Sequence, residues 1–498
     1  MAAQAGLQML VQGGNAVDAA LATAIALTVV EPTMNGIGGD LFAIVHDGKG
    51  LQGINATGRA PQALDLDRYN GRNKMPEVGW DTVTVPGQVA GWADLHSRFG
   101  KLPFETLFEA AIRYAEEGFL VTPAIAEIWA LQVDLLKSQP GFAENFLPKG
   151  RAPRTGEHFL CRDQAETLRQ IAETKGASFY TGTIADKIVA QARAEGSSLN
   201  ADDLGGHKSL WVEPMGVSFR GHTLHELPPN GQGIAALIAL GIMERLDLDA
   251  HHHDSSARQH LEIEATKIGL HDLATNIADP ERMEIAPHDL LDPARLDELA
   301  KSIDPNKVAA PNPGKRSNHG TVYLAAADDS GMMISLIQSN YKGFGSGVVI
   351  RGTGIAMHNR GLGFVTTPGH PNQVAGGKRP LSSIIPGFAT KDGKATTAFG
   401  VMGGSMQPQG HVQIASRMFA GEQNPQAASD APRWRFDDGR VRVEEAWSDA
   451  FVQGLEQRGH ALHEGTDLDF GAAQIIHCHN GAYVAASESR RDGYPVGF

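Results

Sequence analysis

The sequence predicts an α+β protein, with helices concentrated in its first part and paired strands in its last part. Apolar residues recur at three- and four-residue spacing in segments 104–115, 165–171 and 184–194, which is the spacing of amphipathic helices. From residue 211 onward, short apolar runs bounded by turn residues indicate strands, and from residue 321 they form a hairpin pattern. These patterns together predict the fold class.

The amino-acid composition limits the class of protein and the kinds of partner it can bind. The chain has 498 residues and a formal charge of −14, from 43 basic and 57 acidic residues. This acidic balance, without a long basic run, argues against a nucleic acid as partner. Cys161 and Cys478 are the only cysteines, which excludes a disulfide framework and leaves too few thiols for a structural zinc site. The chain is typical of a globular, enzyme-sized protein.

The most apolar early segment, residues 16–30, is interrupted by Asp18 and is shorter than the ~20 residues that a bilayer core requires. It predicts a buried helix, and we expect no membrane partner. No secretory signal pattern precedes it, so we expect a cytoplasmic protein. The first residues of the chain have a helical pattern without a capping residue before them, which suggests that an upstream segment is missing. A periplasmic or secreted location is therefore the alternative.

The first elements are marked by turn and cap residues. The glycine pair at 13–14 fits a helix end, and Asn15 followed by Asp18 fits the side-chain cap of a second helix. The loop 35–40 (NGIGGD) then leads into a strand at 41–46. A phosphate-binding loop is the alternative interpretation, but the segment lacks a Walker lysine and precedes a strand instead of a helix.

In the middle of the chain, strands are expected at 217–219 and 223–226, followed by an apolar helix at 234–243. The three histidines at 251–253 suggest a metal site, because imidazoles are common ligands. Since consecutive residues cannot share one face of a helix or strand, we interpret this run as a solvated loop. Residues 304–320 are rich in proline and asparagine and predict an exposed connector.

Residues 321–339 predict a hairpin with a defined register. Strands at 321–328 and 332–339 are joined by a three-residue loop that ends in Gly331, where a left-handed residue is favoured. Opposed positions then sum to 660, so Thr321 falls opposite Ser339, with roughly 5 Å between the Cβ atoms. Taken alone, a threonine at the head of a strand is simply a good strand former.

Eight short segments, in order along the chain, resemble the gamma-glutamyltransferase family of N-terminal nucleophile hydrolases, and the resemblance spans nearly the whole chain. They are residues 13–20 (GGNAVDAA), 37–39 (IGG), 85–91 (VPGQVAG), 179–182 (FYTG), 344–347 (FGSG), 378–383 (KRPLSS), 403–405 (GGS) and 430–433 (DAPR). Within the family, residues 337–339, Tyr341, 344–347 and 359–361 resemble the branch of oxamate amidohydrolases, with acylase-like relatives nearby.

The resemblance implies a fold and a catalytic group. The fold is a four-layer αββα sandwich of the N-terminal nucleophile hydrolase type. The precursor cuts itself before a threonine, here Thr321, which becomes the nucleophile of a small subunit, 321–498; residues 1–320 form the large subunit. Its released α-amine has a reference pKa of about 7.7–8.0 and serves as the base. Ser339 matches a helper hydroxyl, and Gly403 and Gly404 match the oxyanion hole. No metal or organic cofactor is implied.

The substrate contacts depart from those of the true transpeptidases. At four positions that hold the glutamate α-carboxylate and α-amino group in the family, this chain has Thr57, Tyr341, Arg360 and Gly363. The carboxylate-binding arginine and the amino-binding acid are therefore absent, and a new guanidinium is present. We expect this site to reject an α-amino group and to favour another negative charge.

Other residues still suit an acidic substrate. Ser382 and Ser383, which bind the substrate carboxylate in the family, are retained, and Arg59 lies close enough in sequence to reach the same space. The lid segment, here residues 365–377, is shortened, which favours hydrolysis over transfer to an acceptor.

Three functional hypotheses follow. The first is a self-processing threonine amidohydrolase for an oxamate-like amide or dicarboxylic monoamide. The second is a gamma-glutamyltransferase or glutathione hydrolase. The third is an inactive, unprocessed member that acts as a binding protein. The expected partners are a small-molecule amide and the two subunits of one precursor, and the oligomeric state is left open.

Overall fold

The computed structural model describes residues 1–69, 71–309 and 320–498. The predicted connector can be compared only in part, since residues 310–319 lie outside the described residues. Residues 304–309 are mostly exposed, as expected, whereas Gly320 is buried.

The described chain alternates helices and strands throughout its length. The helices are α1 Ala2–Val11, α2 Ala16–Val30, α3 Gln88–Phe99, α4 Glu109–Glu117, α5 Pro123–Leu136, α6 Phe142–Phe146, α7 Arg162–Thr174, α8 Ala177–Thr181, α9 Thr183–Ala194, α10 Ala201–Gly205, α11 Gly233–Met243, α12 Ser256–Asn276, α13 Pro293–Lys301, α14 Met406–Ala415, α15 Pro425–Asp430 and α16 Asp449–Gln457. The strands are β1 Asp40–His46, β2 Leu51–Ala56, β3 Phe119–Leu120, β4 His158–Phe159, β5 Leu210–Val212, β6 Met215–Phe219, β7 His222–Glu226, β8 Gly320–Ala327, β9 Met333–Tyr341, β10 Val349–Ile350, β11 Ile355–Ala356, β12 Gly387–Lys391, β13 Lys394–Met402, β14 Trp434–Asp437, β15 Arg440–Val443, β16 Leu462–Glu464, β17 Ala472–His479 and β18 Ala482–Ser487.

Two large sheets form the centre of the molecule. The first has the order β5-β2-β1-β9-β8 and the second β18-β17-β13-β12-β7-β6. A core of apolar side chains between them includes Phe42 and Ile337 from the first sheet and Phe388 and Ala398 from the second. Because successive side chains of a strand point to opposite faces, each sheet has a second apolar face to cover.

Helices cover the outer faces of both sheets. Leu41 and Ala43 of β1 pack in one core cluster with α2, α3 and α7. Phe399 and Val401 of β13 pack in another cluster with α11, α12 and α14. The layers are therefore helix, sheet, sheet, helix, which confirms the predicted four-layer αββα sandwich.

The predicted early elements are confirmed with small shifts at their ends. Asn15 and Asp18 form a reciprocal capping box at the start of α2, and the strand predicted at 41–46 begins one residue earlier, at Asp40. The apolar helix predicted at 234–243 is α11, whose residues are all buried. None of the described helices combines the length and the apolar character needed to cross a lipid bilayer.

The hairpin has the predicted register along most of its length. Pairs from Val322 with Gln338 to Ala327 with Met333 all sum to 660. Gly331 has φ +85°, the left-handed conformation expected at the end of the loop. The register shifts between Gly320 and Val322, so Gly320 pairs with Tyr341.

The histidine run lies in a loop, as predicted. His252, His253 and Asp254 bring one ligand atom each to within 4.8 Å of one another. A turn, unlike a helix or strand, lets neighbouring side chains face the same side. Within the loop, the backbone N–H of Asp254 donates a hydrogen bond to Nδ1 of His252 at 3.2 Å.

Candidate active site

The two hydroxyls predicted to meet across the hairpin are in hydrogen-bond contact. Thr321 Oγ1 lies 3.1 Å from Ser339 Oγ. Both hydroxyls are also within hydrogen-bond distance of the Gly320 carbonyl oxygen, which is 2.8 Å from Thr321 Oγ1 and 2.7 Å from Ser339 Oγ. All three groups are shielded from solvent, since Thr321 and Ser339 are fully buried and Gly320 is buried as well. Two alcohols therefore converge on the peptide carbonyl that directly precedes Thr321.

The irregular pairing at the head of β8 suits this convergence. The register shift between Gly320 and Val322 removes Thr321 from the regular ladder. Opposite it, the Tyr341 N–H donates to Ser339 Oγ at 2.7 Å, which fixes the serine hydroxyl. Tyr341 has φ +76°, a strained conformation for a residue with a side chain. Strain of this kind persists where the surrounding structure enforces it.

Arg360 is the centre of a buried polar cluster beside the hairpin. Its Nε donates to Asp40 Oδ2 at 2.8 Å and its Nη1 donates to Ser383 Oγ at 3.0 Å. The guanidinium lies 4.6 Å from the ring centroid of Tyr341, a cation–π contact. The cluster joins three of the residues predicted to bind substrate, and β1 joins it to the hairpin, since Asp40 is paired with Ser339 in the sheet.

Asp40 corrects the expectation that the pocket contains a guanidinium without an anion. It is fully buried and carries the charge opposite to that of Arg360. Burial raises the pKa of Asp40, but His358 and Arg360 more than offset this and hold its pKa below the usual range. The carboxylate is therefore ionised, and it neutralises much of the attraction that Arg360 offers to a substrate anion. The sequence pattern signalled only a glycine-rich turn here, so this role was missed.

Two donors in this cluster remain available. Arg360 Nη2 and Ser382 Oγ are buried and have no hydrogen-bond partner among the described residues. An unsatisfied buried donor costs roughly 1–3 kcal/mol, so a bound acceptor there is favoured. A carboxylate is the acceptor that suits a guanidinium and a hydroxyl.

A turn before α11 ties the serine pair to the glycine pair. Gln232 Nε2 donates to the carbonyl oxygens of Ser383 at 2.5 Å and Gly404 at 2.6 Å. Its backbone N–H donates to the Ser382 carbonyl at 3.0 Å, and Ser382 N–H donates to the Asn230 carbonyl at 2.8 Å. No sequence motif had singled out Gln232 or Asn230.

The glycine pair has the backbone that its position requires. Gly403 has φ +131° and Gly404 has φ +62°, conformations that residues with a Cβ rarely adopt. The pair lies between the end of β13 and the start of α14, and Met402 packs against Val322 in one small apolar cluster. Through Gln232 the pair belongs to the same contact network as Ser383 and Arg360.

Arg59 does not join this network. Its guanidinium contacts Asp279 at 3.4 Å, Glu281 at 2.9 Å and the Gly377 carbonyl at 2.8 Å. These partners hold it on a partly exposed surface, and no described contact links it to the serine pair.

The expected lid, residues 365–377, is closed by hydrogen bonds within the segment. The Val365 N–H donates to the Asn372 carbonyl oxygen, and the Val374 N–H donates to the Val365 carbonyl oxygen, both at 3.0 Å.

The groups that could hold a metal lie outside this site. Besides the loop at His252, His253 and Asp254, the described residues contain one cluster of potential ligands, His260, Glu264 and His460. There, His260 Nδ1 is hydrogen-bonded to His460 Nε2 at 2.7 Å, and Glu264 is paired with Lys267 at 2.8 Å. The candidate chemistry is therefore built from hydroxyls, backbone amides and one guanidinium, and the absence of a cofactor stays a prediction.

A four-layer αββα sandwich with a buried threonine at the head of β8, an edge strand of the first sheet, is typical of an N-terminal nucleophile hydrolase. The comparisons agree: residues 2–498 match the gamma-glutamyltranspeptidase family. The chain therefore belongs to the gamma-glutamyltranspeptidase family, and it is an enzyme.

Individual relatives cover the whole chain. It is 34% identical to the glutathione hydrolase-like proenzyme of Bacillus subtilis and 34% identical to the oxamate amidohydrolase proenzyme of Klebsiella pneumoniae, covering 100% of this chain and 97% of each relative. The crystal structure of a cephalosporin acylase from Bacillus halodurans is similar, with a TM-score of 0.95, 44% identity, and coverage of 99% of this chain and 93% of that one.

Proposed function

We propose that this protein is a self-processing threonine amidohydrolase that cleaves the amide of a small, carboxylate-bearing substrate, oxamate-like or a dicarboxylic monoamide, through an acyl-enzyme. The observation that carries the proposal is the convergence of Thr321 Oγ1 and Ser339 Oγ on the Gly320 carbonyl oxygen, at 2.8 and 2.7 Å. Two relatives bear names of proenzymes, which supports self-processing.

The same geometry accounts for self-cleavage. Thr321 donates to Ser339 while Ser339 donates to the Gly320 carbonyl oxygen, which polarises the carbonyl carbon. Thr321 Oγ1 adds to that carbon, the C–N bond to its own nitrogen breaks, and the hydroxyl proton passes to that nitrogen. Water then hydrolyses the Gly320 ester, leaving residues 1–320 and 321–498 as two subunits.

In the mature enzyme the freed amine of Thr321 takes over as base. It accepts the hydroxyl proton as Oγ1 adds to the substrate carbonyl, and it returns this proton to the leaving nitrogen as the C–N bond breaks. Water then adds to the acyl ester, and its proton returns to Oγ1. Backbone N–H groups of Gly403 and Gly404 stabilise the oxyanion, where losing one donor commonly costs about 10²–10³ in rate.

The acid end of the substrate is bound by the polar cluster. Arg360 Nη2 and Ser382 Oγ are the available donors, Ser383 is held beside them by Arg360 Nη1, and Tyr341 stacks on the guanidinium. The charge of Asp40 is balanced by Arg360, which is paired with its Oδ2, and this weakens the attraction of Asp40 for a substrate ammonium. The balanced charge favours a plain acid over a γ-glutamyl group, and the glutathione assay tests this because Asp40 Oδ1 has no hydrogen-bond partner among the described residues. Cytoplasmic location and a role for Arg59 in binding stay predictions.

The proposal is tested by changing the nucleophile. On a denaturing gel we expect wild-type protein to give two fragments of about 320 and 178 residues, whereas Thr321→Ala gives one band near 53.1 kDa. Ser339→Ala should slow cleavage markedly, and Thr321→Ser should retain it. The processed protein is then assayed side by side on oxamate, succinamate and glutathione.

Thr353→Ala is the matched control, because this buried hydroxyl donates to the Ile350 carbonyl oxygen at 2.7 Å and accepts from the Ile355 N–H at 3.1 Å, both within its own turn. It should cleave like wild type. A single band from wild-type protein would refute the proposal, and if that protein also hydrolyses none of the amides, the result favours the inactive, unprocessed binding protein. Release of glutamate from glutathione without release of ammonia from either monoamide would favour the glutathione hydrolase hypothesis.

A further inference from the structure

A cavity of about 250 Å³ lies beside the head of β8. Gly320 lies in its wall, together with Met402, which directly precedes the glycine pair. The typical volume of a site that holds a whole small ligand is about 300–1,000 Å³, so this cavity suits part of a substrate. It contains none of Arg360, Ser382 and Ser383.

One face of α5 lines this cavity. The residues concerned are spaced three and four apart along the helix, as one face of a helix requires: Ile128, Leu131, Gln132, Leu135 and Leu136. Leu131 is 62% exposed and Leu135 is 48% exposed, and Leu468 across the cavity is 39% exposed. Apolar side chains gathered around a cavity mouth, instead of buried in the core, indicate a binding surface.

The polar rim of the cavity is mainly basic. Lys342 and Arg491 lie on it with one acid, Glu77, which is 3.3 Å from Lys342 Nζ. Arg491 is held by carbonyl oxygens of Arg490 at 2.7 Å and Asp467 at 3.3 Å. An apolar group that is neutral or anionic at its far end complements such a rim, and a cationic group does not.

We propose that this cavity is a second substrate subsite, which binds an apolar group carried on the amine half of the amide. This rests on the proposed function, in which the acyl half holds its carboxylate on Arg360 and Ser382. The cavity borders Gly320, the residue that is joined to the nucleophile Thr321 before processing, and the carboxylate donors are absent from it. The part of the substrate that reaches it is therefore the leaving amine. The substrate is then a secondary amide, larger than oxamate itself.

The test compares amides that differ only on the amine side: oxamate with N-benzyloxamate, and succinamate with N-benzylsuccinamate. Ammonia and benzylamine have similar basicity, so the ratio of kcat/KM reports binding of the benzyl group. Burial of a group of this size favours the benzyl amide by about 10- to 100-fold. Leu131→Glu should lower this ratio by at least about fivefold, because it places a charge on the apolar face.

Leu120→Glu is the matched control, since Leu120 is 61% exposed and does not line the cavity. Calorimetric binding of the same four compounds gives a readout that does not require turnover. Tighter binding of the benzyl compounds, lost in Leu131→Glu, supports the subsite even if nothing is hydrolysed, in which case only the proposed function fails.

Hydrolysis of the primary amides with no preference for the benzyl compounds overturns the subsite and leaves the proposed function standing. Equal ratios in the two leucine variants also overturn it. Sedimentation of both variants is measured in parallel: if Leu131→Glu changes only the oligomeric state, the α5 face is an interface between copies of the chain and the subsite is refuted.

Discussion

At the level of single residues, Asp40 decides the charge of the candidate substrate pocket. It follows a loop in which the chain passes very close to other backbone: a Cβ on Gly38 would lie 2.5 Å from the Ala356 carbonyl oxygen, and one on Gly39 would lie 2.8 Å from that of Ser339. Glycines at these positions let β1 enter the sheet beside β9. The close packing at these glycines brings Asp40 to Arg360, which agrees with a loop that leads into a strand and not with a phosphate-binding loop.

Asp40→Asn should therefore destabilise the fold. It leaves the buried Arg360 without its charge partner, a change that typically costs about 3–5 kcal/mol. The pKa of Asp40 is lowered in the folded state, so its stabilisation is present above the unfolded value of about 3.9 and is lost as pH falls through the folded value. Urea unfolding at pH 7 should show the full difference between variant and wild type, and this difference should shrink below about pH 4.

Asp134→Asn is the control for this prediction. Asp134 is paired with Lys137 at 2.7 Å but is fully exposed to solvent, so its loss should leave the unfolding midpoint unchanged. An Asp40→Asn protein as stable as wild type at pH 7 would mean that Arg360 is satisfied by other groups.

At the level of elements, the turn that precedes α11 positions two parts of the site at once. The helix itself is apolar and buried in the second helix layer. The turn before it pairs with the segment after Pro380 through a bridge between Gly231 and Ser382. Gln232 then reaches from this turn to the carbonyls of Ser383 and Gly404. The serine pair and the glycine pair thus depend on one side-chain amide for their relative position.

Gln232→Ala should lower kcat/KM by about 10- to 100-fold, the cost commonly seen when catalytic groups are misplaced by about 1 Å. The loss should fall on kcat as well as on KM, because both the oxyanion donors and the carboxylate donors move. Steady-state kinetics on the processed enzyme check this, and Gln232→Glu, which keeps the length of the side chain but loses the donors, should not restore activity.

Gln164→Ala controls for the loss of a buried amide elsewhere. Gln164 is 2% exposed and donates to the Thr28 carbonyl oxygen at 2.9 Å, far from these residues in the contact network. It should reduce stability without changing kcat/KM. Equal kinetic losses in both variants would argue against a positioning role for Gln232.

At the level of the whole molecule, the two proposed subunits cannot form separate domains. In the first sheet, β1 from the large part pairs with β9 from the small part. In the second sheet, β7 from the large part pairs with β12 from the small part. Each sheet is therefore continuous across the proposed cleavage point, and the apolar core between the sheets uses side chains from both parts.

Cleavage after Gly320 should thus leave one native body. On a sizing column without denaturant, the processed protein should elute as a single species containing both fragments, and the fragments should separate only under conditions that also abolish the secondary structure measured by circular dichroism. Separation of folded fragments in native buffer would contradict the shared-sheet architecture. The comparison is made against Thr321→Ala, which should elute at the same position as an unbroken chain.

Contacts between residues that are close along the chain could be predicted from the amino-acid sequence alone. The hairpin register follows from a loop three residues long, so the contact between Thr321 and Ser339, 18 residues apart, was predictable by counting. The capping box of α2 and the apolar helix α11 were predictable for the same reason. The family and its sandwich fold followed from the ordered motifs.

The surroundings of the nucleophile depend on contacts between distant parts of the folded chain, and the sequence did not reveal them. Asp40 and Arg360 are 320 residues apart, and Gln232 and Gly404 are 172 residues apart. Arg59, close in sequence to a substrate position, instead pairs with Asp279, 220 residues away. Local periodicity specifies which face of an element is apolar, but a buried polar group takes whichever partner the packing of distant elements brings within about 3 Å. The charge of the pocket therefore depends on how distant elements pack together in the folded sandwich.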